Sequence, residues 1–273
     1  MEICTACLDT LMRSLVLIIL LLLTFPAASA FPAERDSGTL IEVPTRPDVT
    51  VPVYLIKHSS AVATIALLPG GHGSFTFKKD GLESDDFLVK TRNQFARQGF
   101  NVDVIGRPAD IRNLSLDRRR TADHLEDVRM VVKYLQSELS LPIWLIGTSR
   151  GTISAASAAI AYGSEELAGI VLTSSVTSSS ELYSVPKLRL EKIQVPVLVL
   201  HHEKDACNIT SPDGAREIVG RLTNAPVARA ILVNGGRFPS GNPCSSSHWH
   251  GYSGMEPEAV DIIAKWIREP SWW

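Results

Sequence analysis

The chain has 273 residues, of which 45% are hydrophobic and 21% are charged. A chain of this length and composition can bury a large core and is more typical of one α/β domain than of two. The formal net charge of −2 gives no general attraction to nucleic acid, so no nucleic-acid partner is expected. The one dense basic cluster, Arg118 to Arg120, is interpreted as the solvated start of a helix.

The N-terminus has the features of a secretory signal peptide. Residues 15–25 form an apolar run that is short for a membrane span, and Ala28, Ser29 and Ala30 are small residues of the kind that signal peptidase recognises. We therefore predict cleavage after Ala30, which leaves residues 31–273 as a single exported domain, periplasmic or secreted, with no stable membrane span. Retention of the segment as an uncleaved anchor stays open.

The start codon is a second open point. Glu2 and Asp9 place negative charge where a signal peptide is normally positive, whereas Met12 and Arg13 begin a normal one. Translation from Met12 is therefore an alternative to translation from Met1.

Apolar strands alternate with amphipathic segments along the rest of the chain. Strands are predicted at residues 39–43, 49–56, 61–68, 100–105, 142–146, 168–173, 196–201 and 228–233, the first two as an antiparallel pair. Helices are predicted at residues 85–98, 121–139, 152–161, 211–222 and 257–267. This alternation is typical of a mostly parallel sheet with helices on both faces. The stretch between residues 173 and 196 is too short for a large cap domain.

The run GTSRG at residues 147–151 stands between a predicted strand and a helix rich in small residues. A serine on such a sharp turn exposes its hydroxyl, and the flanking glycines give the room that the turn requires. The N–H groups at the start of the helix favour negative charge on a nearby substrate oxygen. The pattern predicts a nucleophile elbow with Ser149 as the nucleophile, and an ordinary Gly-Ser turn is the alternative.

Two cysteines remain after removal of the signal peptide, because Cys4 and Cys7 precede the cleavage site. We predict a disulfide bond between Cys207 and Cys244, formed in an oxidising compartment. Two unpaired buried thiols are the alternative.

The elbow and the order of strands and helices resemble the α/β-hydrolase fold over essentially the whole mature chain. In that family the catalytic triad runs serine, acid, histidine along the sequence. The resemblance implies Asp205 as the acid, because it follows the strand at residues 196–201, with Glu203 as the alternative. It implies His250 as the base, because a His-Gly pair precedes the last helix, with His248 as the alternative.

The resemblance also implies where the oxyanion is bound. In this family one N–H comes from the residue after the nucleophile and one from the loop after the third strand. Here these are Arg150 and, in the run PGGHG at residues 69–73, Gly71. Proline stands where the family often has histidine, and His72 is expected to line or cover this site. The run lacks the spacing of a phosphate loop or of a dinucleotide-binding loop.

No cofactor is implied, and no metal site is predicted. His201, His202, Asp205 and His250 contain donor types that bind zinc. Adjacent residues of a strand point to opposite faces, however, so His201 and His202 are not expected to share one ion.

The resemblance implies a serine hydrolase that cleaves carboxylic esters through an acyl-enzyme. The short stretch between residues 173 and 196 predicts an open site, which favours small or polymeric esters over long-chain lipids. A peptidase, a thioesterase, an acyltransferase and a noncatalytic binding protein on the same fold are the alternatives. Cys207 lies two residues after Asp205, and Cys244 lies six before His250. A bond between them is therefore expected to tether the loop that carries Asp205 (the acid loop) to the loop that carries His250 (the histidine loop).

Overall fold

The computed structural model describes residues 38–78, 81–178, 180–237 and 239–271. The predicted signal peptide at residues 1–30 lies outside the described residues, as do both candidate start positions and Cys4 and Cys7. The cleavage site, and the assignment of residues 31–273 as one domain, stay predictions.

In the described part of the chain, eight strands form one sheet in the spatial order β1-β2-β6-β3-β7-β8-β9-β10. Their bounds are β1 Thr39–Arg46, β2 Val49–Ile56, β3 Ala63–Leu68, β6 Phe100–Ile105, β7 Ile143–Thr148, β8 Gly169–Thr173, β9 Val197–His202 and β10 Ala228–Val233. The β1–β2 and β2–β6 pairs are antiparallel, and the other neighbours are parallel. A separate antiparallel hairpin joins β4 (Thr76–Lys78) to β5 (Gly81–Glu83).

Helices cover both faces of the sheet. The described helices are α1 Phe87–Arg97, α2 Ala122–Leu139, α3 Gly151–Glu166, α4 Gly214–Arg221 and α5 Glu256–Arg268. One apolar cluster packs α2, α3 and α4 against the sheet, and a second packs α1 and α5 against the opposite face. Strands β3, β6, β7, β8 and β9 are buried along their whole length, as expected for a sheet covered on both sides.

The predicted fold class is confirmed, and most element boundaries agree to within a few residues. The hairpin of β4 and β5 was not predicted, because its strands are three residues long and mostly exposed, so they carry no apolar run. The described residues between β8 and β9 form two short 3-10 turns, Val185–Lys187 and Leu190–Lys192, rather than a cap domain. None of the helices in the described ranges is both long and apolar enough to cross a membrane.

The parallel strands bring three loops to one edge of the sheet. The loop at residues 69–73 follows β3, Ser149 follows β7, and Asp205 follows β9. His250 reaches the same edge from a 3-10 turn, Trp249–Gly251, which precedes α5. Ligands of open α/β sheets bind outside the carboxyl ends of the strands, so a functional site is expected at this edge.

Candidate active site

Ser149 occupies the sharp turn between β7 and α3. Its φ of +50° lies in the left-handed region, which costs free energy for a residue with a side chain. Glycine is required on both sides, because a Cβ at Gly147 would lie 2.4 Å from the carbonyl oxygen of Gly151, and one at Gly151 would lie 2.0 Å from that of Leu68. The turn therefore has the geometry that a nucleophile elbow requires.

The structure brings His250 and Asp205 together. Nδ1 of His250 lies 2.9 Å from Oδ2 of Asp205, and both side chains are buried. The carboxylate has two further donors: the N–H of Cys207, 3.0 Å from Oδ1, and the hydroxyl of Thr210, 2.9 Å from Oδ2. Such a carboxylate fixes the tautomer of the imidazole and leaves Nε2 free to accept a proton.

The two alternative residues lie in other environments. The carboxylate of Glu203 is exposed and accepts a hydrogen bond from Asn234 over 2.8 Å. His248 packs edge-on against Trp249, with ring centroids 5.3 Å apart. Neither side chain takes the place of Asp205 or His250 in the contact between acid and imidazole.

Ser149 and His250 line one cavity of about 240 Å³. Glycines of the loop at residues 69–73, His72 and Asp86 also line it. Within the described residues, no hydrogen bond joins the Ser149 hydroxyl to the imidazole. Catalytic hydrogen bonds are often long in ligand-free enzymes and shorten when substrate binds. The position of both side chains on one cavity is therefore compatible with proton transfer between them.

A disulfide bond joins Cys207 to Cys244. Cys207 lies two residues after Asp205, and its N–H donates a hydrogen bond to the Asp205 carboxylate. Cys244 lines the same cavity as Ser149. The bond thus connects the acid loop to the loop that carries His250, as predicted.

The loop at residues 69–73 presents Gly71 to the cavity. Gly71 has a φ of +51°, and a Cβ there would meet no atom within 4 Å. The N–H of Gly70 is bonded to Oδ2 of Asp86 over 2.8 Å. Among the described loop and turn hydrogen bonds, none uses the N–H of Gly71 or of Arg150. The two N–H groups predicted to bind the oxyanion are therefore free to do so.

Three side chains at this site were not predicted from the sequence: Asp86, Arg119 and Thr210. Asp86 caps α1 through hydrogen bonds from the N–H groups of Leu88 and Val89, and an aspartate just before a helix is a signal that could have found it. No local pattern marks the other two.

The solvated position predicted for residues 118–120 is wrong for Arg119. Its side chain is only 1% exposed and donates hydrogen bonds to carbonyl oxygens of the loop at residues 69–73. The three arginines form one 3-10 turn, which is too short for an apolar period to show which side chain points inward.

Burial controls the charge of several groups here. Burial, together with the positive charge of Arg150, lowers the pKa of Arg119 to about 9. Burial raises the pKa of Asp86 above its ordinary value, against the effect of the hydrogen bonds from Gly70, Val89 and Leu88. His201 is fully buried, and desolvation lowers its pKa to about 4, so its imidazole is neutral at pH 7.

The two strand histidines make separate contacts. Nε2 of His201 accepts a hydrogen bond from the N–H of Ser175 over 2.7 Å. The ring of His202 stacks on Trp249 with centroids 5.7 Å apart. Among the described residues, no group of three or more metal-ligating side chains is placed to hold an ion.

Neither a protein-family model nor a curated protein sequence matches the chain. Solved structures match it well in shape. The esterase Pf2001 of Pyrococcus furiosus superposes with a TM-score of 0.61 at 13% identity, over 85% of this chain and 92% of the other. Est1E of Butyrivibrio proteoclasticus superposes with a TM-score of 0.59 at 13% identity, over 85% of this chain and 98% of the other.

An alpha-beta serine hydrolase homologue of Coxiella burnetii gives a TM-score of 0.56 at 13% identity, over 85% of this chain and 97% of the other. Structural similarity at such low sequence identity establishes the fold alone. The chain has the α/β-hydrolase fold, as the order of its motifs predicted.

Proposed function

We propose that the protein is a serine hydrolase that cleaves carboxylic esters through an acyl-enzyme. The observation that carries the proposal is the position of Ser149: it projects from a left-handed turn into a cavity that also holds His250, whose imidazole is hydrogen-bonded to Asp205. A nucleophile, a base and an orienting acid on one cavity support acyl transfer.

The reaction begins when Oγ of Ser149 attacks the ester carbonyl carbon. Its proton passes to Nε2 of His250, and the carbonyl oxygen becomes an oxyanion that accepts hydrogen bonds from the N–H groups of Gly71 and Arg150. Collapse of this intermediate breaks the bond to the leaving alcohol, which takes the proton from His250. Water then attacks the acyl-enzyme with the same base, which releases the acid and restores Ser149.

The cavity favours short acyl groups. Its volume of about 240 Å³ is below the range of roughly 300–1,000 Å³ that is typical of drug-sized ligands. Its lining is mixed, with Ser74, Ser84 and Asp85 beside Phe87. A long lipid chain would find little apolar surface here, so the proposed substrates are small esters or accessible ester bonds of a polymer.

We also propose that the protein acts outside the cytosol. A disulfide bond between Cys207 and Cys244 is stable in an oxidising compartment and is rarely maintained in a cytosolic protein. This agrees with the signal peptide predicted at residues 1–30.

The test is a panel of p-nitrophenyl esters of increasing acyl length. An anilide and a thioester of the preferred acyl group test for cleavage of amides and thioesters. The purified protein should hydrolyse the short esters fastest, and Ser149→Ala should lose nearly all of the activity. Ser157→Ala is the control, because Ser157 is a buried serine of α3, the helix that follows Ser149, and does not line the cavity. Its activity should equal that of the unmodified protein.

A fluorophosphonate probe distinguishes the remaining possibilities. It should label the protein at Ser149 and should fail to label Ser149→Ala. A folded protein that neither reacts with the probe nor turns over any substrate of the panel would contradict the proposal and would favour a binding function. Faster product formation with an added alcohol, together with formation of a new ester, would instead identify an acyltransferase.

A further inference from the structure

Two charged side chains hold the loop at residues 69–73: Asp86, which is half-buried, and Arg119, which is buried. Asp86 accepts a hydrogen bond from the N–H of Gly70 over 2.8 Å. Nη2 of Arg119 donates to the carbonyl oxygens of Pro69, Gly70 and Gly71 at 3.1, 3.4 and 3.4 Å. Neither side chain belongs to the proposed triad, and capping of α1 uses only one of the two oxygens of Asp86.

The first peptide unit of the loop is held at both ends. The carbonyl oxygen of Pro69 and the N–H of Gly70 belong to one trans peptide, in which they point in opposite directions. Arg119 binds the oxygen and Asp86 binds the N–H. This peptide plane therefore cannot rotate without breaking one of the two charge-assisted hydrogen bonds.

The next peptide unit carries the N–H of Gly71. Its carbonyl oxygen, that of Gly70, accepts hydrogen bonds from the N–H of Gly73 over 2.9 Å and from Arg119. Because the N–H points away from the carbonyl oxygen, the Gly71 N–H points away from Arg119. Asp86, which accepts from the Gly70 N–H, also lies opposite Arg119, and both Asp86 and Ser149 line the cavity.

Arg119 is anchored independently of the loop. Its guanidinium also donates to the carbonyl oxygen of Leu114 over 3.2 Å and to the hydroxyl of Ser154 over 3.0 Å. A buried guanidinium is costly unless its donors are satisfied, and here described acceptors surround it. The loop carbonyls therefore contact a positive charge that is held in place by Leu114 and by Ser154 of α3.

Asp86 divides its two oxygens between two tasks. Oδ1 accepts from the N–H groups of Leu88 and Val89 and so caps α1, whereas Oδ2 binds Gly70. The approach is close, because a Cβ at Gly70 would lie 3.3 Å from Oδ2 and 2.9 Å from Cβ of Ser149. The carboxylate thus joins the loop to the rigid end of a helix beside the nucleophile.

We propose that Asp86 and Arg119 are positioning residues for the oxyanion, which clamp the peptide before Gly71 so that the Gly71 N–H faces the substrate. This inference rests on the proposed hydrolase function. It assigns to the pair an effect on the transition state that exceeds any effect on substrate binding, because the oxyanion exists only in the transition state and the intermediates.

Asp86→Ser separates the two tasks of the carboxylate. A serine hydroxyl can still cap α1, but it has no second oxygen for Gly70. We expect kcat to fall by about 10- to 100-fold, as for a catalytic group displaced by about 1 Å, while KM changes by less than about twofold. Arg119→Lys, which keeps the charge but not the fork that binds the carbonyls, should show the same pattern.

A boronic acid inhibitor gives a readout that mere structural damage would not change. Phenylboronic acid forms a tetrahedral adduct with an active-site serine and places an anionic oxygen in the oxyanion site, so its affinity follows transition-state binding. Its inhibition constant should rise in Asp86→Ser by about the factor by which kcat/KM falls. Active sites are counted by fluorophosphonate titration, so an unfolded fraction changes the active concentration and not the inhibition constant.

Asp127→Asn is the matched control. Asp127 is a buried carboxylate that binds Arg46 over 2.8 Å and does not line the cavity. Asp127→Asn should have a lower free energy of unfolding than the unmodified protein, with unchanged kcat and an unchanged inhibition constant for phenylboronic acid.

This inference alone would be overturned if the unmodified protein hydrolyses esters and both Asp86→Ser and Arg119→Lys, when folded, have the same kcat and the same affinity for phenylboronic acid as it does. A protein that hydrolyses no ester and whose Ser149 does not react with the fluorophosphonate would overturn the proposed function together with it. If Asp86→Ser does not fold, the kcat and boronate constant of Arg119→Lys decide the question.

Discussion

The N–H of Cys207 donates a hydrogen bond to Oδ1 of Asp205 over 3.0 Å. The sulfur of the same cysteine is bonded to Cys244, which lines the cavity. One residue therefore holds the proposed catalytic acid through its backbone and the histidine loop through its side chain. This relationship makes the geometry of the proposed triad dependent on the disulfide bond.

Reduction of the disulfide should lower activity before it unfolds the protein. The two cysteines are 37 residues apart, and closing a loop of this length stabilises the folded state by about 4 kcal/mol in the chain-entropy model. A fold with a large core can survive that loss, but the acid loop and the histidine loop lose their tether. Ester hydrolysis and circular dichroism, followed together during titration with a phosphine reductant, check the order of the two losses.

A protein without the bond provides the control for that titration. The double variant Cys207→Ala with Cys244→Ala should have reduced activity that the reductant does not lower further. Simultaneous loss of activity and secondary structure in the unmodified protein would show that the bond stabilises the whole fold and has no local role.

Thr210 is expected to support the proposed acid. Its hydroxyl lies 2.9 Å from Oδ2 of Asp205 and 3.1 Å from Nδ1 of His250, and its side chain is fully buried. Thr210→Val removes this donor at nearly constant volume and should lower kcat by about 10- to 100-fold, since a lost buried hydrogen bond to a charged group costs about 1.5–3 kcal/mol. Thr210→Ser retains the hydroxyl and should retain most of the activity.

Steady-state kinetics of the two variants provide the measurement. Equal activity of Thr210→Val and the unmodified protein would show that the Cys207 N–H and His250 suffice to hold the carboxylate. An equal loss in both variants would mean that the methyl group, through packing, is the important part of the side chain.

Local patterns account for the parts of the fold that were predicted. The buried strands and the amphipathic helices carry apolar residues at regular spacing, and Ser149 stands in a motif of five consecutive residues. Asp205 and His250 were located by their order along the chain and by resemblance to a family. In each case the signal lies in consecutive residues or in an order that a family shares.

The supporting side chains at the site were not predictable in this way. Arg119 binds carbonyl oxygens about fifty positions earlier in the chain, and Thr210 contacts His250 forty positions later. Such contacts exist only after β3, β7 and β9 have brought their loops to one edge of the sheet. A single sequence holds no local trace of them, and the surroundings of residues 118–120 suggested a solvated position instead.

Removal of the Asp103 carboxyl should stabilise the protein. Asp103 lies in β6, is fully buried, and neither of its oxygens has a hydrogen-bond partner among the described residues. Burial raises its pKa well above the ordinary value. The folded state therefore binds this proton more tightly than the unfolded state, and the stability that the protonated group contributes is lost as the pH rises from about 4 through the raised pKa.

Asp103→Val should accordingly raise the free energy of unfolding at pH 8 by about 1–3 kcal/mol and have less effect at pH 4, as measured by urea denaturation. Asn101→Val is the matched control in the same strand, because Asn101 accepts from the His58 N–H over 2.8 Å and its own amide bonds to Thr64. That change leaves partners unsatisfied and should destabilise the protein. A destabilised Asp103→Val at pH 8 would mean that the carboxyl has a partner in solution.

Two buried histidines should make the fold sensitive to acid. Desolvation lowers the pKa of His124 to about 3 and that of His201 to about 4, from an ordinary value of 6.5. The unfolded chain therefore binds these protons at a higher pH than the folded chain does. The stability that each group contributes above pH 6.5 is lost as the pH falls from 6.5 through its folded pKa, which is about 4 for His201 and about 3 for His124.

His124→Gln tests this effect away from the proposed triad, since Nε2 of His124 bonds to the Ser154 hydroxyl over 2.9 Å and glutamine offers a neutral replacement at every pH. The free energy of unfolding should depend less steeply on pH between 6.5 and 4 in this variant, because each pKa unit of depression corresponds to about 1.4 kcal/mol. His72→Gln removes an exposed histidine and should leave the slope unchanged. Parallel pH profiles for His124→Gln and the unmodified protein would show that His124 is charged in the folded state, since only a neutral buried imidazole couples acid to unfolding at this position.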